Sequence, residues 1–125
     1  LARKVDSAYA KMPSPKNTLV LCDNYGQAGA INYYSKQGIH AVSFNADYIN
    51  WFDLKTKYHH LIRVKGNDST NTELKETAPY FQKSTISGSI TNQYAREYGT
   101  TIFSFINAKI NINERIKKEI EENRF

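Results

Sequence analysis

Asp23, Asn24, Tyr25, Gly26 and Gln27 follow directly on the apolar run Leu19, Val20, Leu21, Cys22, and Gly29 comes two residues later. A strand-like run that meets glycines and then a helix-like segment leaves unpaired backbone N–H groups where an anion can sit. The dinucleotide form of this site requires G-x-G-x-x-G and an acidic residue closing the next strand. Here the turn holds only Gly26 and Gly29, the next apolar run ends in Phe44-Asn45, and no phosphate-loop lysine follows. Two readings stay open. The turn is a weak phosphate cradle, or it is a scaffold in which Gly26 supplies the turn and Gly29 lets a helix approach the sheet.

The other chemistry-bearing residues converge less. Asp23 and Glu97 form an acid-base pair only if two distant loops meet; otherwise Asp23 is a turn residue that accepts backbone N–H bonds. His59 and His60 are adjacent, so in a strand they point to opposite faces, which suits surface or packing roles and not a ligand pair. His40 has no cysteine or carboxylate at ligand spacing. Ser87-Gly88-Ser89 lacks the G-x-S-x-G setting of an activated serine. Cys22 is the only cysteine, which excludes an internal disulfide, and its apolar neighbours make it a core thiol. Asn67-Asp68-Ser69 matches a glycosylation triplet of a kind common by chance. No catalytic residue, metal or cofactor is expected from these spacings.

The elements that must position the turn are read from periodicity. Leu1, Val5, Ala8 and Met12 keep helical spacing up to Pro13. Thr18 to Cys22 is a strand covered on both faces and the candidate for the central strand. Ala28, Ile31 and Tyr34 form a helix that ends near Gly38, and Ala41 to Phe44 is a second strand, so strand, helix and strand make a parallel right-handed unit. Residues 45 to 54 read as an aromatic loop with a helical turn. A third strand spans 58 to 65, with Ile62 and Val64 inward and Arg63 and Lys65 outward. A short helix from Thr70 or Asn71 to Thr77 stops at Pro79. Ile86, Gly88 and Ile90 alternate as a half-exposed edge strand, and TTIFSFINA, ending at Ala108, is its buried antiparallel neighbour. Asn111 and Glu114 have capping-box spacing ahead of an Ile112, Ile116, Ile120 stripe, with Arg115 and Glu119, or Lys117 and Glu121, placed to pair at i,i+4.

This is the pattern of a single small three-layer α/β domain over residues 1–125, Rossmann-like, with about five strands, mostly parallel with an antiparallel edge pair. At 125 residues roughly two-thirds of the unfolded surface can be buried, so no staple is needed. The net charge of +5 is carried by residues 1–65, which hold nine Lys/Arg against four Asp/Glu, but these bases are scattered and form no stripe. Nucleic acid is therefore not an expected partner. No run approaches the ~20 apolar residues of a membrane span. The chain opens on Leu1 inside an amphipathic helix, which leads us to expect a piece of a longer protein.

The stretch NYGQAGAINYY, followed by a strand leading into SFNADYINWF, resembles the soluble C-terminal region of membrane glycosyltransferases of the dolichyl-phosphate-mannose protein mannosyltransferase-like family. Bacterial members commonly show N-Y-G-E-A-G-A-L and then S-G-H-N-S-Y-x-x-W. This sequence keeps Asn24, Tyr25, Gly26, Ala28, Gly29 and Ala30 of the first motif, with Gln27 where Glu is usual. It keeps Ser43, Tyr48 and Trp51 of the second and departs at Phe44, Asn45, Ala46 and Asp47. YAREYGTTIFSF, with Glu97, is also similar, so the resemblance runs over roughly residues 8 to 106.

The resemblance implies a parent enzyme that transfers a sugar from a polyprenyl-phosphate carrier, with its catalytic carboxylates upstream of Leu1. This chain would be a non-catalytic accessory domain on the periplasmic face of the inner membrane. Its partners would be the membrane-embedded part of the same protein and a glycan or lipid-linked sugar. The candidate contact residues are Asp23, Asn24, Tyr25, Gly26, Gln27, Asn45, Tyr48 and Trp51. Tyr25, Tyr48 and Trp51 follow strands whose carboxyl ends share an edge, so they form either a sugar-stacking platform or core packing, with Asn24, Asn45 and Asp47 beside them for hydroxyl groups. A free-standing Rossmann-like phosphate- or nucleotide-binding module, and a small hydrolase, are the alternatives from other classes.

Overall fold

The computed structural model describes residues 1–23, 25–44, 52–66, 72–90 and 99–123. Helix α1 (Ala2–Ala10) buries Val5 and Ala8 on one face and stops ahead of Pro13, whose ring disfavours helix in the residue before it. A 3-10 turn (Pro15–Asn17) then delivers β1 (Thr18–Cys22), whose residues are nearly all buried. Helix α2 (Tyr25–Tyr34) starts two residues after β1. Gly26 therefore lies exposed inside its first turn, where the apolar spacing had placed it in the turn ahead of a helix beginning at Ala28. Gly38, with φ of +67°, turns the chain toward β2 (Ala41–Ser43).

After irregular chain at 52–59 come β3 (His60–Lys65), α3 (Thr72–Thr77), a 3-10 turn at Ala78–Tyr80, and the antiparallel pair β4 (Phe81–Ser89) and β5 (Thr101–Ala108). Helix α4 (Ile112–Asn123) follows, and the Asn111 side chain accepts the Glu114 N–H at 3.1 Å as its cap. The Thr70 or Asn71 helix start and most of the aromatic loop expected over 45 to 54 fall outside the described residues. Among the described residues no helix is long and apolar enough to cross a membrane.

The five strands form one sheet in the order β2-β1-β3-β5-β4. β1 pairs in parallel with β2 and β3, and β5 runs antiparallel to both β3 and β4, so four strands share one direction. The edge pair β4–β5 is antiparallel as the short connection implied. β1 is interior, but the middle place belongs to β3. Burial on both faces marks a strand as interior without ranking it among interior strands. β4 begins at Phe81, ahead of the alternating residues, and its register shifts between Ile86 and Gly88, a bulge of the kind that edge strands carry.

Each face of the sheet has its own core. Val20, Cys22, Ile62, Val64 and Ile102 lie under α1 and α2 with Val5, Ala8, Ala28 and Ile31. Leu19, Leu61, Phe103 and Phe105 lie on the other face with Ile112, Ile116 and Ile120 of α4 and Leu74 of α3. The period-2 geometry of the strands sorts these residues, because neighbours along a strand point to opposite faces. Ile62 and Val64 face inward as their spacing implied, but Arg63 is no solvent residue: its side chain is only 14% exposed.

Asparagine side chains tie the connections to this frame. The Asn32 amide donates to the Ala41 carbonyl at 2.9 Å and accepts the Ala41 N–H at 2.6 Å, standing in for a strand neighbour on β2. Asn113 accepts the Tyr58 N–H at 2.9 Å and donates to the Thr56 carbonyl at 2.6 Å, fixing the approach to β3.

Candidate functional site

α2 leads the chain from β1 over one face of the sheet, and α3 leads it from β3 over the other. The carboxyl ends of β1 and β3 are therefore a switch point, the place where open α/β sheets present ligand-binding loops. Asp23 sits there. Its Oδ1 receives Arg63 Nη2 at 2.7 Å, with Lys65 Nζ at 3.6 Å, and its Oδ2 accepts the Gly66 N–H at 3.0 Å. Its own N–H donates to the Val64 carbonyl and to Gln27 Oε1, both at 3.0 Å.

Arg63 completes the arrangement. Its Nη1 donates to the carbonyls of Leu21 at 3.2 Å and Val64 at 3.1 Å. One guanidinium thus satisfies carbonyls on both strands while pairing the carboxylate that follows β1. Gln27 is 7% exposed, and its amide lies beside Gly66 and the Asp23 carboxylate. A neutral glutamine serves there as an acceptor for the Asp23 N–H without adding a second negative charge. The geometry locks the two strand ends to the start of α2, and among the described residues it brings no nucleophile to Asp23.

Of the candidate contact residues, Asp23, Gly26 and Gln27 come together here, and Tyr25 opens α2 at the same edge. Asn24, Asn45, Tyr48 and Trp51 lie outside the described residues, as do Glu97 and the Asn67 triplet. Arg63, Lys65 and Gly66 belong to the site and were missed by spacing, which read Arg63 and Lys65 as solvent-facing. A usable signal was present: two bases at alternate positions near the end of a strand that neighbours an aspartate-terminated strand.

On the α4 side the sheet borders a cleft of about 540 Å³, with Leu21, Leu61, Phe81 and Ile116 among its apolar walls and Arg63 and Glu119 among its charged ones. His60 and Cys22 have packing roles, whereas His40 and His59 are exposed. His60 is 2% exposed and its Nδ1 accepts the Asn107 N–H at 3.0 Å, so the proton of the neutral ring sits on Nε2. Burial, and then the neighbouring His59, hold its pKa below the usual histidine value. Burial pushes the Cys22 thiol up to about 12, which leaves it inert. Ser87 and Ser104 share a hydrogen bond between their hydroxyls across β4 and β5. Among the described residues no group of three His, Cys, Asp or Glu side chains is placed to hold a metal ion. No protein-family model, curated protein or solved structure matches this chain.

Proposed function

We propose that this chain is an extracytoplasmic accessory domain of a polyprenyl-phosphate-sugar-dependent membrane glycosyltransferase, resting on the periplasmic face of the inner membrane. It is non-catalytic, of three-layer Rossmann-like design, and contributes contacts to an acceptor glycan or to the membrane-embedded part of the same protein. The resemblance carried by Asn24 to Ala30 supports the parent activity. The non-catalytic part rests on one observation: both oxygens of the Asp23 carboxylate are engaged, by Arg63 and by Gly66. A general acid or base must reach the proton it moves, and this carboxylate is committed to holding strands together. Arg63 is committed in turn, to Asp23 and to the Leu21 and Val64 carbonyls, which weighs against the nucleotide-module reading.

Trp51 is the only tryptophan, so its fluorescence reports on the proposed contact rim. Neutral oligosaccharides or a short-chain polyprenyl-phosphate sugar should change its emission saturably, with no turnover of the lipid-linked sugar by the purified chain. Sugar transfer that disappears in Asp23→Ala, or a response confined to phosphate and nucleotides, would overturn the proposal.

A further inference from the structure

At the end of the parallel strands opposite Asp23, a cavity of about 470 Å³ opens beside the start of β1 and the residues that precede β2 and β3. Tyr9, Lys16, His40, Phe52, Asp53 and Tyr58 supply its chemistry. Tyr58 is 9% exposed, and its backbone N–H is taken by Asn113. Among the described residues its hydroxyl has no hydrogen-bond partner and no fully buried side-chain polar atom lacks one, so this hydroxyl reaches water, and Tyr58 lines the cavity. Burial first, then Asp53 and Tyr9, push this phenol up to about 12, so at neutral pH it is a proton donor.

Asp53 supplies the complementary acceptor. Its Oδ1 receives the N–H groups of Lys55 at 3.0 Å and Thr56 at 3.3 Å, and its Oδ2 receives the Thr56 hydroxyl at 2.6 Å. A carboxylate has about four acceptor sites, so one on Oδ2 remains open.

We propose that this cavity is a carbohydrate site that takes a neutral sugar ring, with Tyr58 donating to one hydroxyl and Asp53 accepting from another. Lys16 and Asp53 give the cavity lining one charge of each sign, so neither an anion nor a cation is favoured. A sugar presents what the remaining groups match: apolar C–H groups for the aromatic lining of Tyr9, Phe52 and Tyr58, and hydroxyls that both donate and accept. The volume lies within the range of small-molecule sites. This site is separate from the Asp23 edge and stands on the cavity alone, whatever the parent protein does.

The test uses the 125-residue chain and isothermal titration with glucose, galactose, mannose and N-acetylglucosamine, with inorganic phosphate and ethanolamine as charged controls. Saturable binding of at least one neutral sugar is expected, weakened by about tenfold or more in Tyr58→Phe, equal to about 1.4 kcal/mol. The melting temperature of Tyr58→Phe should match the parent, because the lost hydroxyl holds no protein group. Asp53→Asn should weaken binding in the same direction. No binding of any of these sugars would overturn the proposal, as would a preference for phosphate or ethanolamine. Sugar binding that Tyr58→Phe leaves intact would place the sugar elsewhere, for instance at the Asp23 edge, and would also overturn it.

Discussion

Asp23 and Arg63 stand 40 residues apart in the chain and meet at 2.7 Å, joining the carboxyl ends of β1 and β3. Their side chains are 27% and 14% exposed, so the pair is screened more than a buried one and less than a surface one. It stands at the carboxyl ends of two parallel neighbours in an open α/β sheet, and it makes the turn after β1 a structural joint.

Asp23→Ala should therefore destabilise the fold by about 1–2 kcal/mol, because it removes the carboxylate that pairs with Arg63 and the acceptor for the Gly66 N–H. Urea denaturation of Asp23→Ala, Arg63→Met and the double variant gives the coupling directly. A coupling within error of zero would mean that the pair is incidental.

His60 predicts a pH dependence. Its folded pKa lies below the unfolded value of about 6.5, so the unfolded chain binds more protons in the interval between the two. Its contribution should be complete above about pH 6.5 and should decline as pH falls through that interval toward the folded pKa. Thermal melts from pH 7.5 down to 5 should show the decline, and His60→Asn, which keeps an acceptor but does not titrate, should flatten it.

Two glycines should respond to alanine with opposite signs. Gly38 has φ of +67° with open space around it, so Gly38→Ala meets backbone strain alone and should cost about 1 kcal/mol. Gly88 has no such φ, and an added Cβ would sit 3.7 Å from Lys4 Cδ and 3.8 Å from Ile102 Cδ1, ordinary contacts. Gly88→Ala should stabilise by about 0.4–1 kcal/mol by restricting the unfolded chain. Equal changes in denaturation midpoint for the two variants would contradict this account.

Cys22 should be silent toward thiol reagents in the native protein. It is 2% exposed and its thiol is pushed up to about 12, so neither access nor thiolate is present at neutral pH. Labelling with a disulfide reagent should follow unfolding by urea; labelling at native concentrations of structure would place Cys22 at a site that opens locally.

Much of the fold is local and is readable along the chain. β1 is an unbroken apolar run, the Ile112, Ile116, Ile120 stripe is a helix face, and Asn111 announces its cap. Such features depend on residues within a few positions, where period and backbone preference act alone. For the same reason Asp23, Gly26 and Gln27 can be singled out along the chain: they follow the apolar run directly.

Tertiary structure decided the rest. Strand order put β3 in the middle, because each sheet edge is closed by whichever strand the chain returns, and periodicity carries no record of that choice. Arg63 alternates like a solvent residue, yet a half-covered face and a carboxylate 40 positions earlier draw it down onto the strand ends. The Tyr58 cavity is likewise assembled from the end of α1, the approach to β1 and the segments before β2 and β3. Charge pairs and cavities arise where distant segments meet in space, and the energy that selects them exists only once the chain has closed around them.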